Sequence, residues 1–215
     1  MTAAATGAEV FPELSRLAEV MATLRRRCPW DAEQTHRSLV QYLIEETGEL
    51  VEAIETGDQD HLAEELGDLL LQVYFHAQIA SEAPAGFDLD DVAAGVADKL
   101  VRRHPHVFAA ETAPADLNGT WEQRKAAEKG RTSVLEGIPE QLSALARANK
   151  IISRARSRKV GVELPEQPIE SAEVGSQIVA LVARAQAAGI DPDQAVRDAV
   201  RDLEAAVRTA EQERP

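Results

Sequence analysis

The chain has 215 residues, a formal net charge of −14 and 44% hydrophobic residues, a composition that suits one or two domains with a packed core. Its acidic surplus disfavours binding to nucleic acids and anionic membranes, and its single cysteine excludes an internal disulfide and a multi-cysteine metal site. Because no apolar run reaches the about 18 residues of a membrane span and no secretion signal is visible, we expect a cytoplasmic protein.

Apolar residues recur at helical spacing through most of the chain, while aromatic residues and strand-like alternation are scarce. This pattern predicts an all-α helical bundle. Pro29 ends the first predicted helix before the loop CPWDAEQTH, and Gly57 in a Thr-Gly-Asp turn separates the second helix from the third. The predicted helices cover residues 11–27, 38–56, 60–81 and 88–103. The residues predicted to point inward from the second and third helices include Leu43, Ile54, Leu66 and Val73.

Two groups of carboxylates lie at helix-turn spacing within these apolar helices. Glu45, Glu46 and Glu49 fall within about 100° of arc on the second helix, and Glu65 and Asp68 lie about 60° apart on the third. Each group therefore occupies one helix face.

A reversal of the chain at Gly57 would bring the two groups together. In such an antiparallel pair, Glu49 lies opposite Glu65 and Glu46 lies opposite Asp68. Helix axes about 8 to 10 Å apart would hold these carboxylates so close that cations must neutralise them. An all-oxygen group without cysteine favours magnesium or manganese over zinc.

The alternative interpretation is a solvated acidic helix face, which is common on glutamate-rich helices. The register across the turn, the neighbouring Leu50 and Leu66, and the scarcity of Lys or Arg four residues away favour the metal site. Glu52, Glu55 and Glu64 are interpreted as solvated surface.

The pattern Glu45-Glu46-x-x-Glu49 followed by Glu65-x-x-Asp68 resembles the signature of the MazG-type nucleoside triphosphate pyrophosphohydrolases. The segments LRRRCPWDAEQTHRSL, DKLVRRHPHVF and TWEQRKAAEKG are also similar to segments of that family, so the resemblance covers roughly residues 11–130. It implies an all-α homodimer that uses Mg²⁺, or Mn²⁺ as a substitute, to hydrolyse a nucleoside triphosphate to the monophosphate and pyrophosphate. A related pyrophosphohydrolase acting on dUTP or phosphoribosyl-ATP, and a non-catalytic helical scaffold or regulatory protein, remain alternatives.

The resemblance also implies roles for the carboxylates. The implied metal ligands are Glu46, Glu49, Glu65 and Asp68. Glu45 would be either an outer ligand or the group that orients the attacking water.

Four further residues would bind the substrate, since residues of their type hold the triphosphate in the family. Lys99 and Arg103 share one helix face, and Lys125 follows Trp121 by one helical turn. Helix-dipole stabilisation is the alternative role for the cations, and packing is the alternative for the Trp121 ring.

Trp30 and Asp31 in the CPWD segment would shape the pocket for the base, with loop anchoring as the alternative. His104 and His106 flank a proline at a predicted helix end, where structural histidines are commoner than catalytic ones.

The C-terminal third contains an apparent internal repeat. Residues 64–78 resemble residues 172–186, and residues 87–103 resemble residues 190–206. In the second copy Ser176 stands where the first has Asp68, and no Glu-Glu-x-x-Glu group precedes it. We therefore expect the second copy to be inactive and to support packing or dimerisation.

These patterns predict three parts: a catalytic helical domain over 1–135, a basic helical linker over 136–170, and a shortened, inactive repeat over 171–215. The linker carries six cations between Arg147 and Lys159 without an intervening acidic residue. They would bind nucleic acid or, as the acidic composition favours, offset negative charge elsewhere in the protein.

Overall fold

The computed structural model of the chain describes residues 11–109, 112–114 and 116–213. All regular secondary structure in these ranges is helical, so the predicted all-α class is confirmed. No helix within them is long and apolar enough to cross a membrane. The chain forms two compact units, which meet in sequence between Leu100 and Val101. The predicted domain boundaries near residues 135 and 170 stay a prediction.

Five helices begin in the first unit and five in the second, counting the described residues only. The first set is α1 (Pro12–Arg27), α2 (Pro29–Glu33), α3 (Val40–Thr56), α4 (Gln59–Ser81) and α5 (Leu89–Arg103), whose last residues belong to the second unit. The second set is α6 (Pro105–Phe108), α7 (Leu117–Glu128), α8 (Ala144–Ser157), α9 (Ser171–Ala187) and α10 (Pro192–Gln212). The prediction of a loop over CPWDAEQTH is wrong in part, because Pro29–Glu33 form the short helix α2. Pro29 starts this helix, where its fixed φ and missing N–H are tolerated.

The helices α3 and α4 form an antiparallel hairpin around Gly57. Gly57 has a left-handed backbone with φ of 75°, which glycine adopts without steric cost, and its N–H donates to the carbonyl of Ala53 at 3.1 Å. The carboxylate of Asp58 then caps α4 by accepting from the backbone N–H groups of Asp60 and His61, both at 3.1 Å. This turn fixes the register of the two helices.

The core of the first unit lies where α1 packs on α4. Met21, Leu39, Tyr74 and Phe75 are buried there, and the Tyr74 hydroxyl donates to the carbonyl of Leu14 at 3.0 Å.

Several residues predicted to point inward are instead exposed on α3 and α4: Leu43, Ile54, Leu66 and Val73. The sequence pattern identified an apolar face correctly. It does not indicate what covers that face.

The core of the second unit is built on α8, which packs against α7 and α10. Ile151 and Ala155 of α8 are fully buried with Val200 and Val207 of α10. The segment interpreted as a linker is therefore part of a core, because its apolar residues recur at helical spacing between the cations that dominate its composition.

The helix α9 packs against α10 and is exposed along nearly its whole length. Its exposed residues include the apolar Val174, Ile178, Leu181 and Val182. Both segments of the proposed second copy are helical, and the relation of the two copies stays a prediction.

Candidate metal and nucleotide site

Three carboxylates meet across the α3–α4 hairpin. Glu46 and Glu49 of α3 and Glu65 of α4 each offer one oxygen, and these oxygens lie within 4.8 Å of one another. Glu65 is buried, Glu46 is half-buried and Glu49 is exposed. The hairpin thus brings together three of the four predicted metal ligands.

The remaining two predicted carboxylates lie beside this group. Asp68 is half-buried on α4 and is not one of the three residues whose oxygens lie within 4.8 Å. The charge of Asp68 nevertheless raises the pKa of Glu46, and the charge of the exposed Glu45 raises it to a smaller extent. The five carboxylates therefore share one electrostatic environment.

Crowding and burial disfavour the ionised forms of two members of the group. Burial raises the pKa of Glu65, and Glu49 adds the largest further increase among its charged neighbours. Burial likewise raises the pKa of Glu46, and Asp68 is the charged neighbour that adds most. These pairings are those that the register around Gly57 predicts.

Glu65 has one oxygen that is paired and one that is not. Its Oε1 lies 3.1 Å from Nε2 of His61, one helical turn earlier on α4. Its Oε2 is buried, and no residue that the structure describes donates a hydrogen bond to it. The sequence analysis did not predict a role for His61, although residues four apart on a helix are neighbours and His61 precedes Glu65 by four.

This donor set fits a hard dication. A buried carboxylate oxygen without a hydrogen-bond donor is costly, and that cost is removed when a cation binds it. The neighbouring ligand atoms are all carboxylate oxygens, which Mg²⁺ and Mn²⁺ accept more readily than zinc does.

The predicted substrate residues Arg103 and Trp121 are in contact within the second unit. The Arg103 guanidinium lies 5.0 Å from the centre of the Trp121 ring, and its Nε donates to Glu128 at 2.9 Å. Arg102 donates to the other oxygen of Glu128, also at 2.9 Å. These two hydrogen bonds lower the pKa of Glu128 to about 2. Arg103 is buried, and its guanidinium is paired with a carboxylate that it shares with Arg102.

A cavity of about 290 Å³ opens beside this pair. Its lining includes Arg103, His104, His106, Trp121 and Arg124. The His104 ring lies 4.9 Å from the Trp121 ring, and among the described residues His106 Nδ1 is buried with no hydrogen-bond partner. Aromatic rings and cations in one cavity suit a planar ligand that carries negative charge.

The two predicted lysines lie elsewhere. Lys99 is partly buried on α5 within the first unit. Lys125 lies on α7, where its Nζ is 3.7 Å from Glu122, and it is not among the residues that line the cavity.

Trp30 and Asp31 are held on α2 by contacts within the first unit. The Trp30 ring makes edge contacts with Tyr42 and Phe75, with ring centres 5.9 and 6.4 Å apart. Asp31 is buried, and its carbonyl accepts a hydrogen bond from Arg25. These contacts favour the loop-anchoring interpretation for both residues.

Comparison with known proteins identifies relatives along most of the chain. Residues 34–108 match the family model described as the MazG nucleotide pyrophosphohydrolase domain. A nucleoside triphosphate pyrophosphohydrolase/pyrophosphatase MazG of Thermotoga maritima is 40% identical in an alignment that covers 86% of this chain and 80% of that protein. An uncharacterised 26.1 kDa protein of Streptomyces cacaoi is 50% identical in an alignment that covers 90% of this chain and 80% of that protein.

Other relatives are longer than this chain. The nucleoside triphosphate pyrophosphohydrolase of Escherichia coli K12 is 46% identical in an alignment that covers 66% of this chain and 57% of that protein. The chain thus spans little more than half of that relative. The segment matched by the family model contains both carboxylate groups, Lys99 and Arg103, whereas Trp121 and Lys125 lie beyond it.

Proposed function

Because the chain belongs to the MazG nucleotide pyrophosphohydrolase family, we propose that it is a hydrolase that converts nucleoside triphosphates to the monophosphate and pyrophosphate, with Mg²⁺ as its cofactor. The observation that carries the proposal is the meeting of Glu46, Glu49 and Glu65 across the α3–α4 hairpin, with Glu65 Oε2 buried. We also propose that it acts in the cytoplasm on the nucleotide pool, removing unwanted triphosphates.

The carboxylates have distinct roles in this proposal. Glu46, Glu49, Glu65 and Asp68 hold the metal, and Glu45 is an outer ligand or orients the attacking water. When bound, Mg²⁺ neutralises charge on phosphate oxygens and acidifies water. Mn²⁺ would substitute, since it accepts the same oxygen ligands.

Two features of the fold arrange these carboxylates for a cation. His61 engages one oxygen of Glu65 and leaves Oε2, the oxygen without a described donor, for the cation. The turn at Gly57 fixes the register that sets Glu49 against Glu65. Binding a cation then relieves the repulsion that the fold has already imposed on these groups.

The substrate contacts are assigned to the cavity beside Trp121 and to the lysines. The Trp121 ring and the cationic lining suit a nucleotide, and the volume is near the lower end of small-ligand pockets. Arg103 is already paired with Glu128 and contacts the Trp121 ring. We therefore propose two roles for it, positioning this ring and binding phosphate. Lys99 and Lys125 remain candidate triphosphate ligands. Trp30 and Asp31 stay candidates for the base pocket, although their contacts within the first unit favour anchoring.

We further propose that the chain acts as a homodimer. Apolar side chains on α3 and α4 are exposed in the single chain: Leu43, Ile44, Val51, Ile54, Leu66 and Val73. An exposed apolar face of this kind indicates an interaction surface, and a second copy of the same hairpin would cover it.

A substrate panel scored for pyrophosphate tests the proposal. The full chain would be incubated with ribonucleoside and deoxyribonucleoside triphosphates, including dUTP, and with phosphoribosyl-ATP. We expect pyrophosphate release that requires Mg²⁺ and stops with a chelator. Turnover of dUTP or phosphoribosyl-ATP alone would assign the chain to a neighbouring activity. Nucleotide binding without any turnover would contradict the proposal and support a scaffold.

A further inference from the structure

The carboxylate of Glu122 on α7 lies close to cationic side chains from two helices of the second unit. Its Oε1 lies 3.7 Å from Nζ of Lys125 and 3.8 Å from Nζ of Lys150, and its Oε2 lies 3.3 Å from Nε of Arg154. Lys125 is on α7, and the other two cations are on α8. One carboxylate therefore faces three positive charges.

The surplus of positive charge extends into the protein. Arg154 is buried, and its Nη1 donates to the carbonyls of Val134 and Glu136 at 3.0 and 2.8 Å, so its position is fixed. Burial lowers the pKa of Arg154, the charge of Glu122 opposes this shift, and the nearby charges of Arg131 and Arg158 lower the pKa further. A concentration of cations is unusual in a chain with a net charge of −14, and it attracts anions.

Lys125 and Lys150 are the part of this cluster that an anion can reach. Their side chains are 27% and 40% exposed, whereas Arg154 is 5% exposed. Both ammonium groups lie too far from Glu122 for a hydrogen bond. Each ammonium group carries three donors, so the pair has hydrogen bonds left to give to another acceptor.

We propose that Lys150, positioned by Glu122 and Arg154, joins the candidate triphosphate ligand Lys125 in a binding site for an oligophosphate anion. The inference rests on the proposed function for one point, that such an anion is a substrate or product of this protein. Two point charges held near one oxygen suit adjacent phosphate groups, which lysine binds through charge and rotatable donors. Lys150 had no role in the sequence analysis beyond the basic stretch that contains it.

The binding test needs no turnover. Pyrophosphate would be titrated into the full chain by calorimetry without divalent cations, using the wild type, Lys150→Met, Lys150→Arg and Lys159→Met. Lys159 is exposed and takes no part in the ion pairs of Glu122, so its variant is the matched loss of one lysine charge.

We expect Lys150→Met to weaken pyrophosphate binding about tenfold, and Lys150→Arg and Lys159→Met to change it by less than about threefold. Circular dichroism would verify that all variants keep their helical content. Equal weakening in Lys150→Met and Lys159→Met would mean only a general charge effect and would overturn the site. Absence of binding to the wild type at millimolar pyrophosphate would overturn it too.

Kinetics separate two sources of the anion. If the site holds the phosphate tail of the substrate, Lys150→Met raises KM and pyrophosphate inhibits competitively. If it holds a separate phosphate effector, KM is unchanged and the inhibition is non-competitive. A wild type that turns over no triphosphate would contradict the proposed function, and the calorimetric result would still decide the anion site.

Discussion

Nε2 of His61 lies 3.1 Å from Oε1 of Glu65, while Oε2 of the same carboxylate is buried without a hydrogen-bond donor among the described residues. One oxygen is therefore held by the protein and the other is left for a ligand. With Glu46 and Glu49 nearby, a cation is the ligand that fits this oxygen, because an uncompensated buried carboxylate beside two others is unfavourable.

Magnesium should stabilise the folded chain. Binding to the folded state alone contributes about 1.4 kcal/mol when free Mg²⁺ is ten times its Kd, which corresponds to a few degrees in the thermal midpoint. We expect this shift in the wild type at neutral pH and a loss of most of it in Glu65→Gln. The exposed Glu64 provides the matched control, Glu64→Gln, which should keep the shift. An unchanged wild-type midpoint in millimolar Mg²⁺ would favour a solvated acidic face.

Equivalent substitutions in the two copies of the proposed repeat should have unequal effects. Asp68→Asn keeps the side-chain size and removes one charge beside Glu46, so we expect pyrophosphate release to fall by roughly three orders of magnitude. Ser176→Ala should leave the rate unchanged, because the one hydrogen bond of the Ser176 hydroxyl to a described residue is donated to the carbonyl of Glu173 on the exposed helix α9. Initial rates would be compared after circular dichroism. An active Asp68→Asn, or a folded but inactive Ser176→Ala, would move the site away from the first unit.

The carboxylate group was predictable from sequence because its geometry is local. Helical periodicity places Glu46 and Glu49 on one face, and a glycine turn fixes their register against Glu65. His61 follows the same rule, because it lies four residues before Glu65 on α4, and the prediction did not include it. The helical periodicity also identified Ile54 and Leu66 as part of an apolar face, but the covering partner of that face is not encoded in the local pattern.

Other features depended on pairing between distant segments. The ion pair of Arg103 with Glu128 joins residues 25 positions apart, so the spacing of Arg103 from Lys99 gave no indication of this pairing. The core role of α8 was hidden for a related reason. Its cations dominate the composition, while the smaller apolar residues around Ile151 make the contacts with α10.

The pairing of Glu128 with Arg102 and Arg103 predicts a pH dependence of stability. Its pKa is about 2 in the folded chain against an ordinary 4.5, so the contribution is fully present above about pH 4.5. It is lost as the pH falls from there through about 2, where the folded carboxylate takes up its proton. We expect Glu128→Gln to be less stable than the wild type at pH 7.

The difference between Glu128→Gln and the wild type should shrink when urea unfolding is repeated at successively lower pH. Glu163→Gln, at an exposed position, should match the wild type throughout. If the difference in unfolding free energy between Glu128→Gln and the wild type stays constant between pH 7 and pH 3, Glu128 contributes by packing rather than by charge.

A charge placed on the exposed face of α3 should separate the proposed homodimer. Ile44 is 68% exposed in the single chain, and burying Glu there against a second copy would be costly. We expect light scattering after gel filtration to report a dimer for the wild type and a monomer for Ile44→Glu. Leu145→Glu adds the same charge at an exposed position of α8 and should remain dimeric. A monomeric wild type would contradict the proposal.

The identity of the first products tests the central claim most directly. The full chain with Mg²⁺ and a nucleoside triphosphate would be sampled early and resolved by anion-exchange chromatography, with pyrophosphate and orthophosphate measured separately. Cleavage between the α- and β-phosphates predicts nucleoside monophosphate and pyrophosphate in equal amounts from the first time point, with no nucleoside diphosphate. A nucleoside diphosphate that accumulates together with orthophosphate would contradict the account, because it would place the cleavage at the γ-phosphate.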